Sequence, residues 1–164
     1  MFDLRKKKKN ITIYAPIAGT LLPLEEVHDP TFSQGLLGEG FAIRPAHGRV
    51  VAPINGTVTQ VFSTGHAITI TSTEGAELLI HVGLETVALD GKGYVSCVKK
   101  EDPIHVGDVL MEFDINTITE AGFDLITPVV ICNSSDFKDF EILKTAHTKI
   151  KEGEEVIRIR KDNR

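Results

Sequence analysis

The sequence predicts an all-β protein that folds as an antiparallel β-sandwich or flattened barrel. The first observation behind this prediction is a series of short segments that alternate apolar and polar residues, which is typical of strands with one buried face. The second is an internal near-repeat, and the third is the shortness of every helical candidate. Alternation predicts strands at residues 58–62, 66–71, 78–82, 109–113 and 156–159.

Helices are predicted to be few and short. Only residues 115–121 and 135–141 have helical character, and both segments are too brief to organise a fold. Asn116 or Thr117 is expected to cap the first of them.

The internal repeat predicts a duplicated β motif. Residues 15–20 (APIAGT) recur as residues 52–57 (APINGT), and residues 106–110 (VGDVL) resemble residues 152–156 (EGEEV). In each copy Pro starts or edges a strand, and Gly permits the positive φ of a tight turn. Two such copies indicate a sandwich built from duplicated hairpins.

The composition is typical of one cytoplasmic domain. The chain has 164 residues, of which 41% are hydrophobic and 25% charged, enough to bury a core without disulfides. We expect a basic tail at residues 1–12 and a single sandwich domain at residues 13–164. Cys97 and Cys132 have no CxxC spacing and are expected to be buried. No apolar run approaches the roughly 20 residues of a membrane span, and the charges near the N-terminus, where a signal peptide would need an apolar region, predict that there is no export signal.

The charge is unevenly distributed along the chain. Residues 1–9 carry five cations against Asp3, a balance of +4, so the remainder carries −9 and the total is −5. The tail is expected to be solvated, or else to contact an anionic membrane surface weakly, at about 1 kcal/mol per cation. The acidic body has no Trp and two Tyr, which argues against nucleic-acid binding.

Residues 65–83 have the pattern of a β-hairpin with one histidine near each end. Residues 72–75 (STEG) have the composition of a type I turn. If Ser72 faces Gly75, then His66 directly faces His81, with Cβ atoms about 4.5–5.5 Å apart. A bulge at Gly75 would slip the register by one residue and is expected to place the rings on opposite faces.

A facing pair of imidazoles indicates chemistry that a single histidine does not. Two imidazoles a few ångströms apart cannot both be charged comfortably, so they would share a proton, a metal or an anion. Neutral imidazole, with a pKa of about 6.5, is a competent nucleophile near pH 7.

Six segments together resemble one known family. They are APIAG at residues 15–19, GEGFAIRP at 38–45, VAPINGT at 51–57, TGHAI at 64–68, LIHVGLETV at 79–87 and TPVV at 127–130. From about Ile13 to Ile159, the chain is similar to the glucose-type enzyme IIA domain of the bacterial phosphoenolpyruvate-dependent sugar phosphotransferase system. The resemblance implies an antiparallel β-sandwich that relays a phosphoryl group from HPr to a cysteine on the IIB domain of a sugar permease.

The resemblance also implies roles for single residues. His81 is expected to become phosphorylated, and His66 to hydrogen-bond the phosphoryl group, with the Thr64 hydroxyl adding a further hydrogen bond. For His81 Nε2 to attack, Nδ1 must keep its proton, and the family's acceptor for it is the carbonyl of Gly83. No cofactor is required, although His66 and His81 could hold a zinc completed by a partner's carboxylate.

Partner docking is expected around this pair. The resemblance places Phe32, Leu37 and Phe62 on an apolar rim, flanked by Asp29 and Glu85. Glu85 departs from the Asp that is common there, and its extra methylene could shift a contact with a basic partner. Without the resemblance, Leu37 and Phe62 would be expected in the core.

Two other functions remain as alternatives. A non-catalytic regulatory protein that binds transporters or kinases overlaps with the family role. A lysostaphin-type zinc peptidase would share a related duplicated β fold, but Val51 stands where its Asp would follow His47, and Leu79 stands where its His would precede His81. That pattern supplies fewer than the roughly three protein ligands of a catalytic zinc. The remaining histidines, at positions 28, 105 and 147, are expected to be exposed.

Overall fold

The computed structural model describes residues 9–161, and in that range short strands predominate. The strands are β1 (Lys9–Tyr14), β2 (Gly19–Pro23), β3 (Glu39–Pro45), β4 (Arg49–Val51), β5 (Gly56–Val61), β6 (Ala67–Ser72), β7 (Glu77–His81), β8 (Tyr94–Ser96), β9 (Pro103–Ile104), β10 (Val109–Phe113), β11 (Thr127–Ile131), β12 (Lys138–Ile142), β13 (Lys149–Ile150) and β14 (Glu155–Lys161). The helices are α1 (Pro30–Ser33) and α2 (Ile115–Glu120), and 3-10 turns lie at Leu24–Glu26, Thr86–Leu89 and Ser134–Asp136. None of the helices in this range is long and apolar enough to cross a membrane.

The described strands pair antiparallel in one large sheet and two small ones. The large sheet has eight strands in the order β13-β2-β3-β11-β7-β6-β5-β9, and the small sheets have the orders β1-β14-β12 and β4-β10-β8. The main core takes Phe41 and Ile80 from the large sheet, Ile157 from one small sheet and Leu110 from the other. The core therefore lies between the sheets, and the predicted antiparallel sandwich is confirmed.

The internal repeat folds into two copies of the same structure. In the first copy the N–H of Ala15 donates to the carbonyl of Glu154 at 2.8 Å, and in the second the N–H of Ala52 donates to the carbonyl of Asp108 at 2.8 Å. The acceptors lie in the two similar segments that follow a Gly turn. Each copy thus anchors its APxxGT segment on its own Gly-turn segment, as the duplication predicts.

The two copies also bond reciprocally to each other. The N–H of Tyr14 donates to the carbonyl of Pro53 at 2.9 Å, and the N–H of Val51 donates to the carbonyl of Pro16 at 2.8 Å. Each donor lies just before an Ala-Pro pair, and each acceptor is the proline of the other copy. This exchange places the two repeats side by side at the centre of the sandwich.

Each repeat needs a glycine at the start of its strand, because the backbone of the paired strand lies very close to that position. Gly19 begins β2 and Gly56 begins β5. A Cβ on Gly19 would lie 2.1 Å from the carbonyl oxygen of Arg44, and a Cβ on Gly56 would lie 2.2 Å from that of Thr71. Neither position can hold a methyl group unless the backbones separate.

Gly56→Ala tests this requirement. The added methyl group would push β5 away from β6, so the free energy of unfolding should fall by about 1–3 kcal/mol. Urea denaturation measures the change, with Thr57→Ala, at the exposed neighbouring position, as the control. A Gly56→Ala protein as stable as the control would contradict this account of the repeat.

Side chains on the other face of the large sheet form a second apolar cluster. Along β7, Leu78 and Ile80 enter the main core, whereas Leu79 points into this second cluster because side chains alternate across a strand. The segment between β2 and β3 covers the cluster with Leu24 and Phe32. This covered face carries the functional site.

The predicted boundary of the tail at residue 12 is wrong. Strand β1 begins at Lys9, which pairs with Lys161 of β14. Ile11 and Ile13 alternate into the main core, and their burial holds this segment in the sheet. Residues 1–8, with most of the basic tail, lie outside the described residues, as do residues 162–164.

Three other predictions are corrected. Helix α2 forms where expected, but Asp114 caps it by accepting a hydrogen bond from the N–H of Thr117 at 3.0 Å. The helix expected at residues 135–141 does not form: Ser135 and Asp136 end a 3-10 turn, and the chain from Lys138 pairs with β14 as strand β12. Cys97 and Cys132 are exposed rather than buried, since each follows directly after the end of a strand.

Candidate functional site

His81 is the last residue of β7, and the turn that follows fixes its ring. Gly83 has a φ of 86°, which favours glycine. A Cβ at this position would lie 2.5 Å from Cγ2 of Thr86 and 3.1 Å from the carbonyl oxygen of Asp124. In this tight turn the Gly83 carbonyl points back to His81 and lies 2.7 Å from its Nδ1.

The register of the hairpin differs from the prediction by one residue. Ala67, and not His66, lies opposite His81. The N–H of Ser72 donates to the carbonyl of Ala76 at 2.8 Å, so the loop holds three residues and ends on Gly75 with a φ of 96°. The bulge considered as the alternative therefore forms.

The expected consequence of that slip is nevertheless wrong, because the two rings meet. The ring centroids of His66 and His81 are 4.7 Å apart, with the planes at 78°. His66 lies in a bend before β6, directly after Gly65 with a φ of 75°, so its side chain does not follow the strand alternation. The carbonyl of His66 accepts a hydrogen bond from the N–H of Val82 at 2.8 Å, which ties the bend to the end of β7.

Hydrogen bonds at the two Nδ1 atoms determine the tautomers of a neutral pair. The Gly83 carbonyl can only accept, so Nδ1 of His81 carries the proton and Nε2 keeps a free lone pair. Nδ1 of His66 lies 2.7 Å from the Thr64 hydroxyl. When that hydroxyl donates, the proton of His66 is on Nε2, which can then donate to a ligand.

Burial keeps both imidazoles neutral at pH 7. Burial first, and the neighbouring His81 second, lower the pKa of His66 from 6.5 to about 4, although a hydrogen bond with the Thr64 backbone opposes that shift. Burial also lowers the pKa of His81, although the hydrogen bond to Gly83 and the carboxylate of Asp29 oppose that shift. The site therefore holds one nucleophilic nitrogen next to one N–H donor.

Aromatic side chains pack against both histidines. The ring centroid of Phe32 lies 5.3 Å from that of His81, and the ring centroid of Phe62 lies 5.7 Å from that of His66 in an edge-on arrangement. Phe32 is buried, whereas Phe62 and Leu37 are half-buried. Phe32 thus supports His81 from the second cluster, and the surface that a partner could touch includes Phe62 and Leu37.

Two exposed apolar residues near the site were missed by the sequence analysis. Leu36 is 70% exposed and Val87 is 56% exposed. Leu36 adjoins Leu37, and Val87 lies two residues after Glu85, in the 3-10 turn at Thr86–Leu89. Their exposure depends on tertiary packing, so no local pattern distinguishes them from core residues.

Acidic groups border a groove beside this surface. The groove has a volume of about 380 Å³ and is lined by Asp29, Glu85 and Asp124, together with His28 and Phe123. Asp29 also caps α1 by accepting from the N–H of Thr31 at 3.0 Å. The predicted pair of flanking carboxylates is thus brought together in the fold.

No metal centre is assembled by this chain alone within the described residues. There, no group of three or more His, Cys, Asp and Glu side chains is placed to hold a metal ion. The zinc peptidase alternative therefore lacks its ligand set in this range. His47 is exposed and lines a different groove, with Tyr94 and Glu112. The other three histidines are exposed, as predicted.

Comparison with known proteins decides the family. The model for the phosphoenolpyruvate-dependent sugar phosphotransferase system, EIIA 1, matches residues 11–137. The chain belongs to this family. As an EIIA component it is a phosphotransferase that relays a phosphoryl group in sugar uptake, which confirms the function that the resemblance implied.

Individual relatives agree with this assignment. The glucose-specific EIIA component of Halalkalibacterium halodurans is 47% identical over 161 residues, which cover 94% of this chain and 92% of the relative. The β-glucoside-specific EIIBCA component of Dickeya chrysanthemi is 50% identical over 130 residues, which cover 79% of this chain and 21% of that longer protein. The solved structure of glucose permease IIA from Mycoplasma capricolum matches with a TM-score of 0.85 and 35% identity, covering 92% of this chain and 96% of that one.

The lowered pKa of His66 predicts a pH-dependent stability. Between pH 6.5 and about 4, the unfolded chain binds a proton at His66 that the folded protein does not bind. The free energy of unfolding should therefore fall as the pH is lowered through this window. His66→Gln should flatten that dependence in urea denaturation, whereas His28→Gln, at an exposed position, should not. Parallel curves for wild type and His66→Gln would contradict the prediction.

Proposed function

We propose that His81 accepts the phosphoryl group in this relay and that HPr donates it. The observation that carries the proposal is the 2.7 Å contact between Nδ1 of His81 and the Gly83 carbonyl, because it leaves the Nε2 lone pair free to attack. Nε2 forms a bond to phosphorus while the N–P bond of phospho-HPr breaks, and the departing imidazole of HPr keeps the electron pair. Positioning is the main requirement of such a transfer, since the transition state is largely dissociative.

His66 stabilises the phosphoryl group during transfer. Its centroid lies 4.7 Å from that of His81, so an N–H on its Nε2 is near the incoming oxygens. Thr64 favours that tautomer by occupying Nδ1 at 2.7 Å. A fixed donor in a buried site stabilises developing charge without reorganisation. Thr64 is thus proposed to act in two ways: its hydroxyl sets the tautomer of His66, and it also hydrogen-bonds the phosphoryl group.

The phosphoryl group then passes to a cysteine on an EIIB domain. The relatives that join EIIA to EIIB and EIIC in one chain support an EIIB partner for this protein. The glucose-specific names of relatives that match nearly the whole chain favour a glucose permease as the recipient. We place the relay in the cytoplasm, where the exposed thiols of Cys97 and Cys132 would stay reduced.

Partners dock on the surface around the histidine pair. Leu36, Leu37, Phe62 and Val87 supply apolar contact area there. The carboxylates that line the adjacent groove suit a partner with basic side chains, and such complementary charges accelerate association. HPr and the EIIB domain would use this surface in turn, because both must reach Nε2 of His81.

Other interactions are secondary to this relay. The two imidazoles supply two zinc ligands, so a zinc at the pair would need ligands from a bound partner, and the relay itself requires no cofactor. A transporter or kinase that covers the same surface would be regulated by whether His81 is phosphorylated. The basic residues at positions 5–9 would attract an anionic membrane weakly, and co-sedimentation with anionic and neutral vesicles tests that attraction.

His81→Ala and His66→Gln separate the proposed roles. After incubation with phosphoenolpyruvate, enzyme I and HPr, the wild type should carry one acid-labile phosphoryl group and His81→Ala none. His66→Gln should still be phosphorylated but should transfer to EIIB about 100-fold more slowly, because the flexible amide of Gln does not hold an N–H donor in the fixed position of the imidazole. Intact-mass analysis and rapid-quench kinetics measure both effects. A His81→Ala protein that still carried the label would assign the phosphoryl group elsewhere.

Docking is tested at the exposed apolar residues. Leu36→Ser and Val87→Ser should each raise KM for phospho-HPr by about tenfold with little change in kcat, since they remove contact area and not a reacting group. Val106→Ser is the matched control, because Val106 is also exposed, at 37%, but lies in the turn between β9 and β10. An equal KM for all three variants would place the docking surface elsewhere.

A further inference from the structure

Two buried hydroxyl groups converge on one backbone carbonyl beside the site. Thr86 Oγ1 donates to the carbonyl of Val82 at 2.8 Å, and the Tyr94 hydroxyl donates to the same oxygen at 2.8 Å. Thr86 is 0% exposed and Tyr94 is 9% exposed. A carbonyl oxygen has two lone pairs, and here both are used by side chains from outside the hairpin.

Val82 connects the functional parts of the site. It follows His81 directly, and its carbonyl belongs to the peptide unit that leads into Gly83. Its N–H donates to the carbonyl of His66 at 2.8 Å. The Gly83 carbonyl, which holds Nδ1 of His81 at 2.7 Å, belongs to the next peptide unit. Two constraints set its direction: the orientation of the Val82–Gly83 peptide, and the N–H of Leu84, which donates to the carbonyl of Asp124 at 2.9 Å.

Packing by the same two residues reinforces the hydrogen bonds. Cγ2 of Thr86 would lie 2.5 Å from a Cβ on Gly83, and Cβ of Tyr94 would lie 3.0 Å from a Cβ on Gly65. The ring centroid of Tyr94 is 6.4 Å from that of His66. Thr86 therefore packs on the turn after His81, and Tyr94 packs on the bend before His66.

We propose that Thr86 and Tyr94 are positioning residues for phosphoryl transfer: their hydroxyls orient the Val82–Gly83 peptide so that His81 stays in the Nδ1–H tautomer. This proposal rests on the proposed function of His81. Without the two donors, the peptide can rotate toward water and the Gly83 carbonyl can leave Nδ1. A fraction of His81 then carries its proton on Nε2, and that fraction cannot attack phosphorus.

The test uses Thr86→Val, Tyr94→Phe and the double variant, which remove the hydroxyls and keep the side-chain shapes. Nitrogen-15 NMR of the histidine rings at pH 7.5 reports the tautomer of His81, because protonated and unprotonated ring nitrogens have different chemical shifts. The Nε2–H tautomer of His81 should be detectable in each single variant and larger in the double variant. Phosphoryl acceptance in a single turnover should slow by about tenfold in the double variant, as small displacements at a reacting centre do.

A matched control separates positioning from stability. Ser72 is also buried, at 5% exposed, and its hydroxyl accepts a hydrogen bond from the N–H of Ala76 at 2.9 Å, at the opposite end of the hairpin from the histidine pair. Ser72→Ala should also lose stability but keep the wild-type tautomer and rate. Thr86→Ser restores a hydroxyl without the methyl group and should recover the Nδ1–H tautomer. If Thr86→Val does not fold, Tyr94→Phe still tests the tautomer and the rate.

The possible outcomes distinguish this proposal from the function on which it rests. A folded double variant with a pure Nδ1–H tautomer and a wild-type rate would overturn the positioning role and leave the relay intact. A wild type that accepts no phosphoryl group would overturn the relay. In that case the NMR measurement still decides whether the two hydroxyls control the tautomer of His81.

Discussion

The hydrogen bond from Nδ1 of His81 to the Gly83 carbonyl is the interaction on which the rest of the site depends. Its length is 2.7 Å, and it turns a titratable side chain into a nucleophile with one defined reactive nitrogen. The bond exists only because the chain turns sharply at Gly83, whose φ of 86° favours glycine. Thr86 and the backbone of Asp124 pack against this turn. The tautomer of His81 is therefore fixed by contacts from two segments outside the hairpin.

The second imidazole adds a constraint on charge. With a pKa lowered to about 4, His66 is neutral near pH 7, so the empty site avoids repulsion between two cations 4.7 Å apart. A phosphoryl group brings negative charge and oxygen acceptors to the same place, and both favour an N–H on His66. Burial disfavours a charged imidazolium. It is therefore compatible with the site before transfer, when His66 is neutral, and with the site that holds a phosphoryl group, when the added charge is negative.

The sequence indicated which residues meet at this site better than how they meet. The hairpin pattern singled out His66 and His81, and the family resemblance singled out Gly83; the structure brings all three together. The register was wrong because the loop ending at Gly75 places three residues where the pattern allowed two. Strand β11 was missed for another reason: Thr127–Ile131 is buried on both faces, so its sequence does not alternate. Exposure of Leu36 depends on packing that no short window contains.

The duplication explains the scaffold, and departures from it explain the site. Strand β3 of the first copy corresponds to β6 of the second. β3 pairs with β2 and β6 pairs with β5, and both β2 and β5 begin at the repeated Gly-Thr. Residues 39–45 contain no histidine. The pairing of β2 with β3 is regular, whereas that of β5 with β6 is shifted between Val58 and Gln60, and such shifts bend a strand and redirect its end. His66 lies in the bend between β5 and β6. The two copies form the common scaffold, and the histidine pair lies where the second copy is irregular.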